Sequence, residues 1–145
     1  MRSVAFHLIN TTKGDVARFL DEVAVPIGWV VQWNFPRASE TIYVRFYDEL
    51  EDEGQDDDLA TLKGTLGRFR EVSVIADVSG RIPGDTEVKA LAGLLLGGFN
   101  GVAEDGYTDH CWTLAEIRSG VQARGHEFFD YNGWYREHKL NGTIP

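Results

Sequence analysis

One cysteine in 145 residues, Cys111, closes off two chemistries. No internal disulfide can form, and a zinc cluster built on thiolates is excluded. Long apolar runs are also missing, and no stretch approaches the ~20 residues a membrane-spanning helix needs. The start, Met1 to His7, is too short and too polar for a secretory leader. These absences predict a cytoplasmic domain without membrane attachment, either monomeric or a homodimer. Lys and Arg number 14 against 23 acids and form no cluster, which argues against nucleic acid as a partner. Gly-x-Gly-x-x-Gly, Gly-x-x-x-x-Gly-Lys-Ser/Thr, Gly-x-Ser-x-Gly and His-Glu-x-x-His do not occur. No cofactor and no catalytic residue is expected, and the chain reads as non-enzymatic.

What is present is ordinary in amount and uneven in place. The length suits one α+β domain over residues 1–145, and the 43% hydrophobic content supports a real core. The net charge of −9 is concentrated. Asp48, Glu49, Glu51, Asp52, Glu53, Asp56, Asp57 and Asp58 fall within eleven residues that contain no Lys or Arg. Removing these eight charges leaves −1 for the rest of the chain. Such a run is either a solvated loop or a surface for a basic partner.

Periodicity gives the elements. Val4 to Ile9 reads as a strand. Thr12 caps a helix that carries Val16, Phe19, Leu20 and Val23 on one face and ends at Pro26 and Gly28. Trp29, Val31, Trp33 and Phe35 share one face of a second strand, and Ile42, Val44 and Phe46 one face of a third. Pro36 to Ser39 would join these two as a hairpin. Asp58 starts a helix with Leu59, Leu62, Leu66 and Phe69 on one side. Val72 to Val78 alternates as a strand, with Asp77 toward solvent. Asp85 caps a helix through Val88, Leu91, Leu94 and Leu95, closed by Gly97 and Gly98. Phe99 to Glu104 and His110 to Leu114 are short strand candidates. Thr113 and Glu116 have capping-box spacing for a short helix over Leu114 to Ser119. The order strand, helix, strand, strand, helix, strand predicts a ferredoxin-like split βαβ sandwich (βαββαβ) with an extra helix and short C-terminal strands.

The chain from Phe99 onward holds eight of the seventeen aromatics and three of the four histidines. Two readings of it stay open. His110, His126, Asp109 and Asp130 contain the donor types of a hydrolytic or metal site. Equally, they are polar groups that cap and satisfy a compact segment. Cys111 reads as a small buried hydrophobe, and His7 as a satisfied sheet histidine. Trp112, Tyr131 and Trp134 belong either to the core or to a binding surface, where aromatic anchors serve well.

The run from Asp77 through Gly84, the leucine-rich helix after it, and Phe99 through Ile117 resemble small bacterial immunity proteins of polymorphic or contact-delivered toxin systems. The likeness covers residues 77–117 and carries no catalytic residues. It implies a domain that neutralises a toxin by covering its active site. The eight acids of 48–58, with Tyr107, Asp109, Trp112, Tyr131 and Trp134, would then form the partner-binding surface. The alternatives are a small His/Asp-dependent hydrolase and a ligand-sensing ferredoxin-like module.

Overall fold

The computed structural model describes residues 2–27, 31–47, 72–79, 83–130 and 133. The chain is α+β, with one six-stranded antiparallel sheet and three helices among the described residues. In chain order these are β1 (Arg2–Ile9), α1 (Lys13–Val23), β2 (Val25–Pro26), β3 (Gln32–Phe35), β4 (Ile42–Phe46), β5 (Val72–Val78), α2 (Asp85–Gly98), β6 (Asn100–Glu104) and α3 (Leu114–Ser119). The sheet order is β2-β3-β4-β5-β1-β6.

Period-two alternation decides which face is dry. Val4, Phe6 and Leu8 of β1 pair across to Ala76, Val74 and Val72 of β5. Val44 lies between Trp33 and Ala76. These side chains are buried in one cluster with Val16 and Leu20 of α1 and Val88, Leu91, Ala92, Leu95 and Leu96 of α2. Both helices therefore close on the same sheet face. Truncating a fully buried ring such as Phe6 to Ala in a core of this kind costs about 3–5 kcal/mol. The second face is polar along β3 and β4, with Gln32, Asn34, Tyr43 and Arg45, and continues into Asp77 and Ser3.

Local signals hold at two helix starts. The Thr12 hydroxyl accepts from Asp15 N–H at 3.2 Å. Thr113 and Glu116 form the full capping box. At α2 the expected cap is displaced by one residue. Gly84 occupies the N-cap at φ +79° without a side-chain bond, and Asp85 is the first helical residue. A Cβ on Gly84 would lie 2.3 Å from a Val78 methyl carbon, so close contact with β5 demands glycine there. At Gly101 the same argument rests on β1, because a Cβ would meet His7 O at 2.1 Å.

Several expectations are corrected. Strands 42–46 and 72–78 are direct antiparallel neighbours, and β1 pairs with β5 and β6. In the expected βαββαβ reading, strands 42–46 and 72–78 are the third and fourth, joined through the helix after Asp58, and the observed sheet order does not follow that assignment. Val31 precedes β3 and is 62% exposed, so it does not share the buried face of Trp33 and Phe35. Leu94 faces outward from α2, where Ala92 and Leu96 take the core positions. The second C-terminal strand reduces to one bridge, Ala103 with Trp112, because Thr113 already caps α3. Asp77 does not project free into solvent. It takes an ion pair from Arg45 Nε at 3.1 Å and a hydrogen bond from the Ser3 hydroxyl. The expected helix after Asp58, together with Trp29, lies outside the described residues.

Candidate functional site

The eight acids also lie outside the described residues, but their attachment points do not. The chain leaves β4 for residue 48 after Tyr47 and enters β5 at Val72. Phe46 pairs with Val74, and Tyr47 N–H donates to Ser73 O at 2.9 Å. Residues 48–71 thus connect two hydrogen-bonded neighbours at one end of the sheet. At that end β1 also finishes, since Leu8 pairs with Val72.

The expected C-terminal residues divide among different roles. Asp109 is exposed. Tyr107 is half-buried, with its ring 5.6 Å from that of Phe129. Trp112 is fully buried, edge-on to His110 at 4.6 Å and to Phe128 at 5.8 Å. It is a core residue and offers no surface to a partner, a correction to its expected place in a binding patch. Tyr131 and Trp134 lie outside the described residues.

The histidines are split between two separate pairs. His110 Nε2 sits 3.2 Å from each carboxylate oxygen of Glu116. His126 Nδ1 sits 3.1 Å from Asp130 Oδ2, and Asp130 Oδ1 accepts from Gly133 N–H at 3.1 Å. Among the described residues no group of three or more His, Cys, Asp or Glu side chains gathers to hold a metal ion. His126 and Asp130 thus meet as a pair, and His110 does not join them in the alternative donor set among the described residues. Burial pushes the Glu116 carboxyl upward, but bonds from Thr113 N–H and from His110 outweigh it and hold the carboxyl below its ordinary value. Asp105 behaves oppositely. Burial raises its carboxyl above the ordinary value despite accepted bonds from Phe129 N–H at 2.9 Å and Tyr107 N–H at 3.1 Å.

Two further groupings have no signature in sequence spacing. The first is a hydrogen-bonded line across β5, β1 and β6. Ser73 Oγ lies 3.0 Å from His7 Nδ1, and His7 Nε2 lies 2.7 Å from Glu104 Oε1. An ionised carboxylate only accepts, so His7 Nε2 donates to Glu104, and Nδ1 is left to pair with the Ser73 hydroxyl, which can donate or accept. The order nucleophile, base, carboxylate is that of a hydrolytic triad. Acyl transfer also needs an open nucleophile and free donors for an oxyanion. Ser73 is 8% exposed and His7 4%. The strand that carries Ser73 is paired on both sides, with β4 and with β1. The line is a satisfied buried polar network.

The second grouping is a cavity of about 610 Å³ lined by Lys13, Gly14, Ala17, Val31, Gln32, Arg45 and Phe46. It lies where the first turn of α1 meets the start of β3 and the end of β4. Gln32 and Arg45 are cross-strand partners. Lys13 Nζ stands 5.7 Å from the centroid of the Phe46 ring. The chain matches no family model, no curated protein and no solved structure. The site therefore stands on its own geometry. These residues come from three stretches far apart in sequence, so only the folded sheet assembles them.

Proposed function

We propose that this chain is a non-enzymatic protein-binding domain for a partner with a basic surface. Its most concrete form is an immunity-type inhibitor that covers a toxin domain. The observation that carries this reading is the concentration of charge. Eight acids fall within residues 48–58, in a connection tied at both ends to the sheet, while the rest of the chain nets −1. A negative lobe on a near-neutral body speeds encounter with a positive surface and sets orientation. The histidine pairs support the same reading, because His7, His110 and His126 each serve a structural hydrogen bond. We further propose a ferredoxin-like split βαβ core, built on β1, β4, β5 and β6 rather than on the strands first expected. It is supported by the neighbour order β4-β5-β1-β6, with β2 and β3 added beyond β4.

The test is binding of the purified protein to the product of its adjacent gene across a salt series from 50 to 500 mM. The expected result is a complex whose dissociation constant rises by roughly tenfold or more over that range, as screening shortens the field. No complex at 50 mM salt would remove the toxin-inhibitor reading.

A further inference from the structure

The geometry points to a small-molecule site in the cavity between α1 and the β3–β4 end of the sheet, with a flat, apolar carboxylate such as an aromatic acid as the ligand class. Its volume of about 610 Å³ is that of a metabolite-sized site, in the form of a groove that opens broadly to solvent. The walls are of two kinds. Ala17, Val31 and Phe46 offer apolar surface, and the Phe46 ring provides a flat one. Lys13 brings a cation to the same space, while Gln32 and Arg45 border it from strands whose side chains are held on the other sheet face by Tyr43 and Asp77.

The electrostatic case rests on Lys13. In a protein of net charge −9, this ammonium has no carboxylate partner among the described residues. It lies instead over the Phe46 ring, a cation–π arrangement at 5.7 Å. A carboxylate in the cavity would complete its charge pairing while an attached ring packed on the aromatic wall. A positive charge held over a flat apolar wall matches an aromatic carboxylate. A neutral isostere would gain only the wall.

This site is independent of the acidic segment, and its test does not need a protein partner. The intact 15N-labelled chain is titrated with benzoate and, separately, with benzamide, reading backbone amide shifts. The expected result is a saturable benzoate response centred on Gly14, Gln32, Arg45 and Phe46, with benzamide weaker by roughly five- to tenfold. Lys13 is exposed, so Lys13→Gln leaves the fold intact, and it should weaken benzoate to the benzamide level. Val31→Asp, at an exposed rim position, should weaken benzoate further while leaving benzamide less affected. Non-saturating shifts, equal affinity for the two probes, or an unchanged benzoate response in Lys13→Gln would each overturn the assignment.

Discussion

Asp105 shows how one buried carboxylate ties two loops together. Oδ1 accepts from Tyr107 N–H two residues on, which closes the turn after β6. Oδ2 accepts from Phe129 N–H, which pins a residue at φ +50° from the C-terminal segment. Both oxygens are thus committed to donors. Asp105→Asn would turn an NH2 group toward one of them, and we expect a loss of about 1–3 kcal/mol at pH 7 in urea unfolding. The pH dependence has a definite sign. The folded carboxyl is raised, chiefly by burial, so the native state takes up its proton before the unfolded chain does. Wild-type stability from this group therefore rises as pH falls through the folded value toward 3.8, and the Asn variant has no such gain. The stability gap between the two should widen between pH 7 and pH 4. A constant or narrowing gap would show that Asp105 is not the buried acid described here.

At the scale of elements, α3 depends on its first turn. The helix has six residues and no fully buried side chain, so its cap carries unusual weight. Thr113 Oγ1 accepts from Glu116 N–H at 3.2 Å, Glu116 Oε1 accepts from Thr113 N–H at 3.0 Å, and His110 flanks the carboxylate. Glu116→Gln should cost about 1 kcal/mol at pH 7. The folded carboxyl is lowered from 4.5, so this stability is present above 4.5 and disappears as pH falls through the folded value. Thermal unfolding of the two proteins should converge in acid, and a gap persisting below that range would contradict the cap. This box was legible in the sequence because it is a four-residue pattern. So were the Thr12 cap, the strand from Val4 to Ile9 and the alternation of β5. Strand order was not legible, because alternation marks a buried face without naming the neighbour. The pairing of Phe46 with Val74, the line from Ser73 through His7 to Glu104, and the meeting of Lys13 with Phe46 are all long-range products of that order. Trp112 was ambiguous for a related reason: an aromatic residue suits a core and an interface equally until its neighbours are known.

On the scale of the whole molecule, a sheet with two helices on one face holds a near-neutral body together. The charge enters through a single connection between β4 and β5. In this account the body is scaffold and the connection is the means of recognition. Replacing Asp48, Glu49, Glu51, Asp52, Glu53, Asp56, Asp57 and Asp58 by their amides removes the field without touching the described core. The measurement is the stopped-flow association rate of this variant and of the wild type with the bound partner, at 50 and 500 mM salt. The account predicts that the wild type associates roughly ten- to a thousandfold faster at low salt and that the advantage collapses at high salt. Equal rates for the two proteins at low salt, with both folded, would contradict it.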